Sequence, residues 1–213
     1  CTLFMPLQGP VSFDALQNID VANKFLNEQF PDAARLIPDL TQQFQSNPVG
    51  TLGTVRCNPW YKNDLSEKSV CLIGDAAHAI VPFFGQGMNC AFEDCTVLRE
   101  LMDTSPESWA KMFSHFSDIR IPNANAIADM ALENYSEMRA HVNDPVFALK
   151  REVGFELERR FPGHFIPRYS LVSFHNMPYS QVQERGRQQE LLLDRVTAGA
   201  RTLADIDWQF AKT

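Results

Sequence analysis

"CLIGDAAHAIVPFFGQGMNCAFEDC", residues 71–95, is the stretch on which the reading of this chain turns. Upstream, "SVCLIGDA" is a short β-rich apolar run that closes at Gly74 and Asp75; downstream, apolar periodicity predicts a helix from about Met88 to Met102. The order is strand, loop, helix. A carboxylate at the carboxyl end of a strand stands where open α/β sheets bind their ligands. Ionised Asp75 can only accept hydrogen bonds, which suits ligand hydroxyls, although the local sequence equally allows a turn or helix cap. In "PFFGQGMN", Pro82 stiffens the backbone while Gly85 and Gly87 let main-chain N–H groups approach a flat ligand. The unpaired N–H groups near Gly87, Met88 and Asn89, at the positive end of a helix, suit an electron-rich carbonyl edge or an anion.

Composition narrows the function classes. The 213 residues are 45% hydrophobic and 21% charged, enough for one large domain or two small ones. A net charge of −7 argues against general attraction to nucleic acid or to an anionic membrane surface, and favours a small-molecule partner. The five cysteines form no C-x-x-C pair and several sit in apolar runs, so a reducing compartment is expected; a cytoplasmic location is the default without an anchor, with organelle-membrane anchoring of a longer form as the alternative. No apolar run approaches the roughly 20 residues that span a bilayer, and no signal segment opens the chain. The first residue is Cys1, within the strand-like run "CTLFMPL", which suggests a piece of a longer protein.

Three zones follow along the chain: residues 1–60, 61–103 and 104–213. The first contains "CTLFMPL" as a strand, a helix opening at Asp20 and stopped by Pro31, and "TLGTVRCNPW" as a second strand closed by a turn at Asn58 and Pro59. The last is predicted as helices over 109–120, 122–142 and 145–161, a loop around "PGHFIPRYSLVSF", and a charged helix from Ser180 to Val196. The fold class expected is α/β, mostly helical.

Several tempting motifs carry nothing. "GQGMNC" imitates a dinucleotide fingerprint but lies ten residues past its strand and lacks the third glycine. His78, among Ala77, Ala79 and Ile80, reads as structural. The other histidines show no metal-ligand spacing and G-x-S-x-G is absent, so neither a zinc site nor a serine hydrolase is expected. In the long helix, Ile127, Ala131, Tyr135, Met138 and Val142 form a core-facing stripe, with Met130, Asn134, Glu137 and His141 beside it. Polar groups along an apolar wall fit a small-ligand pocket, but the residues alone favour the edge of an ordinary amphipathic helix.

"GDAAHAIVPFFGQGMNCAFEDC" resembles the second flavin-contact motif of the FAD-dependent aromatic hydroxylases, and "RIPNANAIADMALENYSEMRAHV" and "FIPRYSLVSF" resemble the kynurenine-hydroxylating branch of that family. The resemblance implies a glutathione-reductase-like FAD domain remnant. Residues 1–60 would be the remnant of a substrate-binding sheet domain, 61–103 the second half of the FAD-binding domain, and 104–213 a carboxyl-terminal helical domain. It implies FAD as cofactor, held by Asp75, Gly87, Met88 and Asn89. Pro82, Phe83, Asn134, Met138 and Tyr169 would be substrate-binding residues, with Glu137 close by. The flavin carries the chemistry, so no catalytic side chain and no metal are expected. The implied activity is NADPH- and O₂-dependent hydroxylation of L-kynurenine to 3-hydroxykynurenine. The amino-terminal G-x-G-x-x-G segment of such enzymes is not among these residues, so the chain alone is expected to be inactive. Another hydroxylase of the family, acting on a phenol or a lipid, and a non-catalytic helical module remain as alternatives.

Overall fold

The computed structural model describes residues 1–63, 68–104, 108–140 and 144–209. By its internal contacts the chain divides into two units, Cys1–Leu52 and Gly53–Thr213.

In the first unit, α1 (Ile19–Gln29) begins where the Asn18 side chain accepts from the N–H groups of Asp20 and Val21, close to the predicted start. Pro31 ends that helix by opening α2 (Pro31–Leu36), at a position where its missing N–H costs no bond. The next helix, α3 (Leu40–Ser46), packs on α1. Leu16, Ala22 and Leu26 are buried, and Phe13 stacks on Phe44 with centroids 6.0 Å apart. The strand expected at "CTLFMPL" does not form. The run finds no ladder partner, and bonds from Phe13 N–H to the Pro6 carbonyl and from Asp14 N–H to the Leu7 carbonyl (both 3.0 Å) turn it back on itself.

The second unit is mostly helical with one small sheet. "TLGTVRCNPW" runs without a ladder, held by single bonds such as Val55 N–H to the Ala79 carbonyl (2.8 Å). The strands are instead β1 (Tyr61–Asn63) and β2 (Ser69–Cys71), antiparallel, with Tyr61 opposite Cys71 and Asn63 opposite Ser69. Pairing ends before Gly74, so Asp75 opens a one-turn helix, α4 (Asp75–His78), instead of finishing a strand. A 3₁₀ turn at Pro82–Phe84 leads to α5 (Gly87–Thr104), matching the predicted helix.

The two helices predicted over 109–120 and 122–142 are one, α6 (Trp109–Ala140), which runs through Pro122. An interior proline costs a hydrogen bond. Here the buried face of Phe116, Arg120, Ala124, Ile127 and Ala131 continues across it and holds both halves in one rod. That face departs from the predicted stripe at one end. Ile127 and Ala131 are fully buried, but Met138 is 55% exposed, and Val142 and His141 lie outside the described residues. Helix α7 (Pro145–Arg160) follows as predicted. The expected loop around Tyr169 contains a short helix, α8 (Arg168–Phe174), and α9 (Tyr179–Val196) matches the charged helix. One core joins Val81, Phe84, Ile127, Met130, Leu171 and Val182; a second joins Leu149, Val153, Leu157 and Phe165.

One buried cluster ties these elements together. Asp94 on α5 is fully buried. Its Oδ2 accepts from the Gly74 N–H (2.9 Å) and meets His78 Nε2 at 2.6 Å, while Oδ1 accepts from Arg120 Nε at 2.7 Å. Arg120 also reaches Glu93 (2.7 Å) and the Cys90 carbonyl (3.1 Å). Gly74 adopts φ 59° and ψ −145°, and a Cβ there would lie 3.4 Å from Ala91, so the turn hugs α5. The His78 ring lies against the buried Trp60, whose main-chain N–H donates to Ser117 Oγ on α6 (3.1 Å). Burial alone would lower the His78 pKa; its bond to Asp94 and the neighbouring Cys90 outweigh burial and raise it to about 10. For Asp94, burial alone would raise the pKa, but the bonds from His78, Gly74 and Arg120 hold the carboxyl below its usual range.

The signs predict a stability plateau. The Asp94 contribution is present above its ordinary pKa of 3.8 and lost as pH falls; that of His78 is full below 6.5 and lost as pH rises through about 10. Thermal midpoints measured from pH 3 to 10 should therefore fall at both ends. Asp94→Ala should cost about 3–5 kcal/mol in urea unfolding, since it strands Arg120 without its buried partner, and should flatten that pH profile.

Candidate functional site

The loop from Val81 to Asn89 is the centre of the site. Gly85 takes the left-handed conformation (φ 66°), with its N–H closing on the Pro82 carbonyl at 3.0 Å. It hands the chain to α5, whose first turn begins at Gly87. Cys90 N–H is paired with the Gln86 carbonyl (2.9 Å), so the N–H groups of Gly87, Met88 and Asn89 precede the first helical bond. Met88 is 67% exposed, and no atom stands within 4 Å of where a Gly85 side chain would be. Asp75 is exposed at the first position of α4, one residue after the Gly74 that Asp94 holds.

Behind this loop is a cleft of about 640 Å³, within the range that small ligands occupy. It brings together three residues singled out in the sequence, Asn134, Met138 and Tyr169, with Phe84 and Glu137, and continues between α7 and α9 past Phe147, Lys150, Phe165, Gln189 and Leu193. Phe84 stacks on Tyr169, with centroids 5.7 Å apart. Pro82 and Phe83 do not line the cleft. Pro82 is exposed, and Phe83 stacks on Tyr135 at 4.7 Å while its carbonyl accepts from Asn134 Nδ2 at 2.7 Å. Asp75, Gly87, Met88 and Asn89 are likewise outside the cleft lining.

Two of the cations in the cleft are held by carboxylates. Arg168 binds Glu133 (2.6 Å) and Glu137 (2.5 Å); Lys150 binds Glu190 (2.7 Å) and Asp194 (2.5 Å). Burial alone would lower the Lys150 pKa, but the two carboxylates raise it, so it stays charged. Gly186 lets α9 approach, since a Cβ there would lie 2.8 Å from Arg168 Cδ. Arg168 and Lys150 are neutralised, Arg151 is a further cation on the lining, and the cleft offers aromatic walls with polar groups between them. That suits a flat ligand with one polar end. Among the described residues, no cluster of His, Cys, Asp or Glu could hold a metal ion, and no helix is long and apolar enough to cross a membrane.

Sequence reading missed the groups that hold the site: Asp94, Arg120, Gln86 and Tyr179. A signal existed for two of them. Asp94 lies in the apolar series Cys90, Asp94, Val97, Leu101, and Arg120 in the series Phe116, Arg120, Ala124, Ile127. Opposite charges on two apolar faces indicate a buried pair.

Comparison with known proteins finds similarity along most of the chain. Residues 29–116 match a family described as "FAD binding domain". A kynurenine 3-monooxygenase from Myxococcus xanthus is 46% identical over 97% of this chain and 44% of its own length. One from Legionella pneumophila is 40% identical over 98% of this chain and 45% of its own, and one from Dictyostelium discoideum 42% identical over 93% and 45%. The chain thus spans slightly under half the length of these curated relatives. Along nearly all its residues it is similar to part of the kynurenine 3-monooxygenases, and it carries the match to an FAD binding domain.

Proposed function

We propose that these residues work as part of an FAD-dependent monooxygenase that hydroxylates L-kynurenine to 3-hydroxykynurenine at the expense of NADPH and O₂. The observation that carries this reading is the single cleft shared by Asn134, Met138, Tyr169 and Phe84, directly behind a loop whose helix N-terminus is open. Residues 61–103 would provide the flavin-facing half-site, 104–213 the helical cover of the substrate, and 1–60 part of the substrate-binding domain.

The residues present fit part of a flavin. Asp75 is an exposed acceptor for ribityl hydroxyls, and the main-chain N–H groups of Gly87, Met88 and Asn89 are donors for the ring's carbonyl edge. Exposed Met88 and Phe92 provide apolar surface beside them. Bound there, FAD would supply the oxygen-transfer chemistry. The chain's own part is to bind, orient and keep water out. One Asn134 N–H is committed to the Phe83 carbonyl, which leaves its other N–H and its carbonyl for the amino-acid end of a substrate, in the cleft that Tyr169 also lines. Phe84 and Met138 give the aromatic ring a dry wall, and orientation selects the carbon that reacts. Pro82 and Phe83 would act from the loop side, Phe83 through its hold on Asn134.

In the full-length protein, a bound-flavin absorbance and kynurenine-stimulated NADPH oxidation are expected. Stimulation by a phenolic acid instead would point to a different hydroxylase, and absence of flavin to a non-catalytic module. Asn134→Ala should raise KM for kynurenine about tenfold, the equivalent of one good hydrogen bond. An unchanged KM would remove Asn134 from the substrate site.

A further inference from the structure

We infer that Tyr179, the first residue of α9, is a positioning residue: its hydroxyl holds Gln86, and through Gln86 the start of α5, in register with the cleft. The inference rests on the flavin reading above and deepens it. Gln86 sits at the junction between the 3₁₀ turn and α5 and is only 7% exposed. Its Oε1 accepts from Tyr179 Oη (3.0 Å) and from Asn89 Nδ2 (3.0 Å), and its Nε2 donates to the Phe84 carbonyl at 3.4 Å. An amide oxygen has two lone pairs, so both are occupied. One buried amide therefore ties a cleft wall, Phe84, to a flavin-side residue, Asn89, and Tyr179 is its anchor on another helix.

Packing does not account for a tyrosine here. The ring lies in the apolar core with Val81, Phe84, Cys90 and Val182, where phenylalanine would fill the same space. Only the hydroxyl makes the contact to Gln86. Burial pushes that phenol up to about 12, so it remains a donor across the neutral range. The helix it opens also lines the cleft through Gly186, Gln189 and Leu193, so α9 touches the substrate cavity and steadies the flavin loop at once.

The test is Tyr179→Phe, read first by hydrogen exchange on the whole chain. The amides of Gly85, bonded to the Pro82 carbonyl, and Cys90, bonded to the Gln86 carbonyl, should exchange roughly three- to tenfold faster, the yield of one lost hydrogen bond. The amides of Val153 and Leu157 in α7 should not change. Gln86→Leu should reproduce the effect, and adding Tyr179→Phe to it should add little, because both remove the same tie. In the flavin-loaded full-length enzyme, the share of turnover in which NADPH, a proton and O₂ give only NADP⁺ and H₂O₂ should rise about threefold. Unchanged exchange at Gly85 and Cys90, equal acceleration in α7, or an unchanged peroxide share would each overturn the assignment. If the wild-type protein lacked kynurenine-dependent turnover, the hydroxylase reading would fall, while the exchange result would still decide whether Tyr179 holds the loop.

Discussion

The buried carboxylate of Asp94 is the constraint on which the second unit is built. It accepts from a turn (Gly74), from a one-turn helix (His78) and from the long helix α6 (Arg120), and it is carried on α5. The turn at residues 74–78, α5 and α6 thus meet at one anion. Taking a charge out of water is expensive unless it is paired and hydrogen-bonded, and this site provides three donors, two of them on cationic side chains. The consequence is that Asp75, exposed and otherwise unsupported, is placed by its neighbour Gly74, whose N–H is fixed.

Around that anchor the chain presents two separate surfaces. On one side are Asp75 and the open first turn of α5, both solvent-facing. On the other is the cleft of Asn134, Met138 and Tyr169. The loop from Pro82 to Asn89 is the partition between them, and both its faces are secured by side-chain amides: Asn134 grips the Phe83 carbonyl and Gln86 joins Phe84 to Asn89. In the cleft, Arg168 and Lys150 are each held between two carboxylates.

Much of this was legible in the residues, and the rest was hidden for physical reasons. The helices over 87–104, 145–160 and 179–196 follow from apolar spacing, because each has a single buried face. The strand expected at residues 1–7 failed because an apolar run is a strand only when a partner meets it, and no local signal reports a partner. The break predicted at Pro122 failed because the rule for proline concerns one hydrogen bond, whereas a continuous buried face on both sides outweighs it. Tyr169 read as a loop residue because Pro167 precedes a helix of only seven residues, too short to show a period. Asn134, Met138 and Tyr169 came together through family resemblance; spacing alone left Asn134 an unremarkable helix edge. Tyr179 was invisible because its partner Gln86 is 93 positions away.

The unbroken run of α6 through Pro122 gives the molecule a ruler. Arg120, which engages the buried carboxylate, and Asn134, which engages the partition loop, stand on the same rod, fourteen residues or roughly 21 Å apart at about 1.5 Å per residue. A single residue inserted between them would advance Asn134 by about 1.5 Å and swing it about 100° around the axis, off the cleft altogether. The count of residues in that interval, as much as their identity, therefore sets where Asn134 meets the loop.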